Sequence, residues 1–168
     1  MTLNNSQSGK NFETSIKDSC ITQGVDFTRL KDAGWTGENT ARRFTSRNIC
    51  DFILFDGVSL HFIEAKSRKT SLPFKDLTQL SDLERKQHST LIPNLYCGFM
   101  VEFSDAAEYF YFDLATIRQM QSELDKKSFN LNDAKLYGKP IYLFTPPGKK
   151  KPRLDVRHMM ELQGAFCE

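Results

Sequence analysis

The run Cys50–Lys66, CDFILFDGVSLHFIEAK, limits what this chain can fold into more than any other stretch. Two apolar segments flank Asp56-Gly57, and an Asp-Gly pair in that setting is the strongest local signal for a β-hairpin. A two-residue loop pairs Phe55 with Val58, Ile53 with Leu60 and Asp51 with Phe62. Glu64 then lies diagonally across from Asp51 on the same face, roughly 7–8 Å away at the backbone, where two carboxylates can reach inward and share a cation. Lys66, two residues further on, projects from that face as well. The grouping depends on an even loop, because an odd one sets Asp51 against Ile63 and turns Glu64 to the far side.

At 168 residues, 39% hydrophobic and 12% aromatic, the chain suits a single domain with a full core. No apolar run nears the ~20 residues that span a bilayer. The polar start MTLNNSQSGKNFE lacks the apolar centre of a secretion signal, so the expectation is a soluble cytoplasmic protein that meets no membrane. Cys20, Cys50, Cys97 and Cys167 show no CxxC spacing, which indicates neither a zinc site nor a disulfide framework. A net charge of +2 says little, but its distribution says more. Arg42, Arg43 and Arg47 precede the hairpin, Lys66, Arg68 and Lys69 follow it, and Lys149, Lys150, Lys151 and Arg153 crowd the end. A charge run is ordinarily a solvated loop. Two of these clusters flank the acids, which favours a polyanionic ligand there.

Residues 1–8 are polar and read as a flexible N-terminus. Phe12, Ile16 and Cys20 recur every four positions between Gly9 and Gln23, with Ser8 as N-cap and Gly24 as the stop, which predicts a helix. Glu13 lies about 100° from Phe12 around that helix, at the border of core and solvent. Helical position alone makes it an ordinary solvated glutamate of the first turn. Residues 25–30 predict a strand, and residues 31–48 a long irregular segment whose arginines and Trp35 can grip a nucleic-acid backbone or cover the core edge. After a basic turn, Lys75–Leu91 reads as an amphipathic helix with Leu77, Leu80, Leu83 and Leu91 on its buried side. Leu95–Phe103 and Tyr109–Phe112 read as strands, Asp113 as the cap of a helix through Leu124, and Ile141–Phe144 as a short last strand. The basic extension 149–168 holds a possible short helix near Val156–Leu162. This order predicts an α/β fold with a mixed central sheet flanked by helices in a single domain.

Asp51, Glu64 and Lys66 together suit a divalent-metal phosphodiesterase site. Mg²⁺ takes oxygen ligands and keeps several waters, so two carboxylates suffice to hold it against a phosphate. An ammonium beside it can orient the attacking water or offset charge on phosphorus. The competing reading is a surface ion pair worth ~0–1 kcal/mol. Both acids border apolar runs, and a buried acid requires a partner.

Asp51, a spacer of twelve and then Glu64-Ala65-Lys66 resembles the PD-(D/E)xK nuclease signature. Together with Gly9-x-x-Phe12-Glu13-x-x-Ile16 before it and Lys69-Thr70-Ser71-Leu72-Pro73-Phe74-Lys75 after it, the pattern resembles the RecU-like Holliday-junction resolvases from about Gly9 to Leu114. The resemblance implies a restriction-endonuclease-like domain over residues 9–148. It implies a structure-selective DNA endonuclease, active as a homodimer on four-way junctions in recombination and repair. Asp51 and Glu64 would bind Mg²⁺ or Mn²⁺ with the Ile63 carbonyl, Lys66 would act on the attacking water, and Glu13 would join the site from the first helix. Members carry a glutamine in the helix after the E-x-K strand. Strict counting lands on Ser81, so Gln87 is the first choice and Gln79 the second. Arg42, Arg43, Arg47, Arg68, Lys69 and Lys75 are the expected nucleic-acid contacts. The junction-engaging stalk of the resolvases has only a short counterpart here, residues 31–48. The alternatives are a restriction- or repair-type nuclease on duplex or flap DNA, and a non-catalytic DNA-binding module.

Overall fold

The computed structural model describes residues 5–30 and 48–164. The first helix, α1 (Asn5–Gln23), is one turn longer than the spacing predicts. Ser8 therefore lies inside it rather than at its cap, with its hydroxyl 2.7 Å from that of Ser67. Phe12, Ile16 and Cys20 are buried as their four-residue spacing requires, and Gly24 ends the helix at φ +64°, a conformation that suits glycine.

The chain continues through β1 (Asp26–Arg29), β2 (Phe52–Phe55), β3 (Leu60–Arg68), β4 (Ser71–Pro73), α2 (Leu80–Ser89), β5 (Leu95–Phe103), β6 (Glu108–Asp113) and α3 (Leu114–Glu123). It closes with β7 (Ser128–Asn130), α4 (Leu131–Tyr137), β8 (Lys139–Pro140), β9 (Leu143–Phe144), β10 (Arg153–Leu154) and α5 (Val156–Gly164). Six strands form one sheet in the order β1-β2-β3-β5-β6-β8, parallel at β3–β5 and antiparallel elsewhere. This is the mixed sheet that the sequence predicts. Helices cover both faces. Phe12, Ile16, Val156, Met159 and Met160 pack on one side with Phe52, Leu54 and Ile63. Leu80, Leu83, Leu114, Ile117 and Met120 pack on the other with Phe62, Phe99 and Val101. No helix among the described residues is long and apolar enough to cross a membrane.

The hairpin differs from the expected one in its loop. Phe55 pairs with Leu60 and Ile53 with Phe62, so the connection is the four residues Asp56–Ser59. A two-residue type I′ turn would need positive φ at both central residues. Only Gly57 has it, at 98°. The Asp56 carboxylate instead accepts hydrogen bonds from the amides of Val58 at 2.9 Å and Ser59 at 2.7 Å, which holds the wider turn. Widening by two residues keeps the parity even. The ladder ends at Phe52 opposite Ile63, and just beyond it the Asp51 amide donates to the Ile63 carbonyl, which brings Asp51 alongside Glu64.

Two further expectations give way to packing. The single helix 75–91 is a 3₁₀ turn at Phe74–Asp76 followed by the shorter α2, so Leu77, Leu80 and Leu83 are buried but Leu91 lies beyond the helix and is fully exposed. The helix ends where Thr90 turns to extended backbone at φ −99° and ψ 129°, three residues before Pro93. The expected strand Ile141–Phe144 is cut to Leu143–Phe144, which pairs with Arg153–Leu154 in a separate ribbon, and it is the preceding Lys139–Pro140 that edges the main sheet. The basic C-terminal extension carries apolar residues at helical spacing beneath its lysines, and Leu154, Val156, Met159 and Met160 complete the core against α1.

Candidate functional site

Where the hairpin opens, β2 and β3 bring together the charged groups that flank it. Asp51 stands one residue before β2, with its amide donating to the Ile63 carbonyl at 3.1 Å and its own carbonyl accepting from the Leu30 amide at 2.8 Å. With its main chain fixed on both sides, its carboxylate accepts a hydrogen bond from the Ala65 amide at 2.9 Å. Glu64, on β3, is only 2% exposed. Burial, followed by the nearby Asp51 charge, pushes its carboxyl up to about 7, against the opposing pull of Lys66. The Lys66 ammonium donates to Glu64 Oε1 at 2.7 Å.

These groups line a cavity of about 280 Å³ together with Glu13, Asn48, Cys50, Ala65 and Gln79. Glu13 reaches it from α1, paired with Arg29 of β1. Helix position alone made Glu13 an ordinary surface residue; the fold places it at the cavity. Asn48 and Cys50 have no signal in the sequence that would mark them. Burial pushes the Cys50 thiol up to about 12, so it stays a neutral wall rather than a nucleophile. A larger cavity of about 350 Å³ lies beside β6 and Ile141. Its only charged groups, Glu108 and Lys135, are already paired at 2.8 Å, so size does not select the site.

Two of the residues read from the sequence are engaged elsewhere. Gln87 accepts a hydrogen bond from the Cys97 amide at 3.2 Å, tying α2 to β5, and does not line the cavity. Gln79 does line it, because the break before α2 leaves that residue at the helix entrance. The Ile63 carbonyl is taken by the Asp51 amide, and it is the neighbouring Ala65 that borders the cavity. Of the basic residues, Arg68 is paired with Asp76 at 2.8 Å, whereas Lys69 and Lys75 are exposed. Arg42, Arg43, Arg47 and Trp35 lie outside the described residues. His61 is fully buried and hydrogen-bonded through Nε2 to the Ser59 hydroxyl at 3.0 Å, and burial pushes it down to about 4, so it stays neutral.

Among the described residues no group of three or more His, Cys, Asp or Glu side chains is placed to hold a metal ion. The donor set is instead one carboxylate pair, Asp51 and Glu64. It fits a hard cation that keeps most of its waters, and it lacks the three or four side-chain ligands that zinc takes.

No protein-family model matches the sequence, and no curated protein matches it. Solved structures do match the fold. One is Hjc of Archaeoglobus fulgidus, described as a Holliday junction resolvase from an archaeal hyperthermophile. It matches with a TM-score of 0.51 and 20% identity, over 79% of this chain and 95% of that one. The single α/β domain with its mixed, helix-flanked sheet thus has the restriction-endonuclease-like fold of that resolvase.

Proposed function

We propose that this chain is a metal-dependent DNA endonuclease that resolves four-way junctions as a homodimer. The observation that carries the reading is the convergence of Asp51, Glu64, Lys66 and Glu13 on one cavity, in a fold shared with a Holliday junction resolvase. Asp51 and Glu64 would hold Mg²⁺ or Mn²⁺. In the proposed arrangement the main-chain ligand is the Ala65 carbonyl rather than that of Ile63. The Ala65 amide already faces Asp51, and in an antiparallel pair a residue's N–H and C=O point to the same neighbour. Bound there, such an ion offsets charge on the phosphate and acidifies a coordinated water.

The chain's own groups do the rest. Asp51, held by the Ala65 amide, presents a fixed carboxylate beside that of Glu64. Lys66 keeps a proton at Nζ and shares it with Glu64, in reach of a water or a phosphate oxygen in the cavity. Water adds to phosphorus and its proton leaves through the polar groups of the cavity, of which Glu13 is one, while the bond to one ribose oxygen breaks and that oxygen takes up a proton from solvent water to leave as a hydroxyl. Gln79 takes the place first given to Gln87 as a group that orients water or phosphate. A four-armed substrate needs two cuts, which a two-fold pair of such sites supplies.

The test is incubation with Mg²⁺ and labelled four-way junction, duplex and flap DNA, beside Asp51→Asn and Lys66→Ala. The expected result is paired nicking of the junction that each substitution slows by about 10²–10³-fold. Nicking undiminished by them would sink the site. Equal cutting of duplex and junction would make this a duplex nuclease, and tight binding without any cleavage would make it a binding module.

A further inference from the structure

Five lysines, Lys10, Lys17, Lys149, Lys150 and Lys151, lie outside the cavity on or beside α1, and, like Lys69, Lys75 and Lys127 elsewhere, they are exposed and unpaired among the described residues. Arg29 and Arg153, beside this helix, are by contrast each paired with one of its carboxylates, Glu13 and Asp18.

Helix geometry brings the five together. Lys10 and Lys17 are seven residues apart on α1, so they lie within about 20° of each other around the axis and roughly 10 Å apart along it. Glu13, which reaches the cavity, sits about 60° to one side of Lys10, and Asp18 about 80° to the other. Asp18 holds Arg153 at 3.5 Å, and the Ser19 hydroxyl accepts the Leu154 amide at 3.0 Å. These contacts bring β10, and with it the turn Gly148–Lys151, to the flank of α1 away from the cavity. The solvent face of α1 is therefore bounded by the carboxylate site on one side and three lysines on the other.

We propose that this face is a second contact surface for the sugar-phosphate backbone of a duplex DNA arm, with the Gly148–Lys151 turn as its outer edge. The proposal rests on the nuclease reading of the cavity and names where one arm of that substrate lies. Unpaired lysines spaced along a backbone recognise phosphate charge and carry no base preference, so the contact is independent of sequence.

The experiment is fluorescence anisotropy of the full chain with a labelled 30-base-pair duplex in EDTA, over a series of salt concentrations. Lysine contacts release counterions, so log K falls against log salt with a slope of about −0.9 per phosphate contacted. The triple variant Lys149→Gln, Lys150→Gln, Lys151→Gln is expected to flatten the slope by up to ~2.7, and Lys10→Gln with Lys17→Gln by up to ~1.8. Lys135→Gln, whose ammonium is already paired with Glu108, is the control and should keep the wild-type slope. Slopes unchanged in both lysine variants, or changed as much in the control, would overturn the surface, as would a wild-type chain that binds no duplex. Unchanged slopes beside intact junction cutting would remove the surface and leave the cavity's assignment standing. Flattened slopes in a protein that cuts nothing would do the reverse.

Discussion

The two ends of the β2–β3 hairpin each carry a carboxylate, and they treat it in opposite ways. At the closed end, burial works to raise Asp56. The amides of Ser59 and Val58 and the Ser59 hydroxyl outweigh it and hold the carboxyl below its ordinary value. At the open end Glu64 has one ammonium, a second acid beside it and little water, and its carboxyl rises to about 7. An acid with three donors aimed at it is structurally settled. An acid in a dry place beside another acid is left in need of a proton or a cation, which is the feature the proposed metal role draws on.

The comparison breaks most sharply at the chemistry. Asp51→Asn and Lys66→Ala should each lower junction cleavage by about 10²–10³-fold while leaving far-UV circular dichroism unchanged. Asp56→Ala, at the settled end, should leave the rate within about twofold and lower stability by about 1 kcal/mol in urea unfolding. Equal losses of rate at both ends would erase the distinction.

The next effect in size is electrostatic. Folded Glu64 keeps its proton to about pH 7, whereas unfolded Glu64 loses it near its ordinary 4.5. The metal-free protein is thus fully stable with respect to this group below 4.5 and loses stability as pH rises toward 7. Once both states are ionised the cost is on the order of 3 kcal/mol. Glu64→Gln should recover much of it at pH 8 in EDTA. A variant less stable than wild type there would contradict the account.

His61 sets the opposite slope from the same hairpin. Neutral in the fold down to about 4, against an ordinary 6.5, it lets stability stay complete above 6.5 and decline as pH falls toward 4. His61→Leu should flatten that acid limb by about 2 kcal/mol between pH 6.5 and 4.5, read from urea midpoints. The smallest expected effect separates the two glutamines. Gln79→Ala should slow cleavage about tenfold at unchanged melting temperature, the cost of one lost polar contact. Gln87→Ala should leave the rate alone and lower stability by about 1 kcal/mol through the Cys97 amide. The reverse pattern would restore Gln87 to the site.

Much of the fold can be read from neighbouring residues alone. The strand Leu95–Phe103 has the bounds its apolar run announces, and Asp113 caps α3 by accepting from the Thr116 amide at 2.7 Å. Legibility stops where distant segments compete. The tail's lysines dominate its composition, while the residues that matter to the fold, Leu154 and Met160, become visible only once α1 offers a face for them. Gln79 and Gln87 are eight positions apart and look alike on a single long helix. The break before α2 gives one to the cavity and the other to β5.

What the sequence determined by itself is the sidedness of the acids. Side chains alternate with a period of two, so an even loop keeps Asp51, Glu64 and Lys66 together whether it has two residues or four. What only the tertiary structure decided is that this face lines a cavity and becomes a candidate site. Glu64's burial, Glu13's approach from α1 and Gln79's place at the rim each depend on packing between segments far apart in the chain, and no local periodicity encodes that.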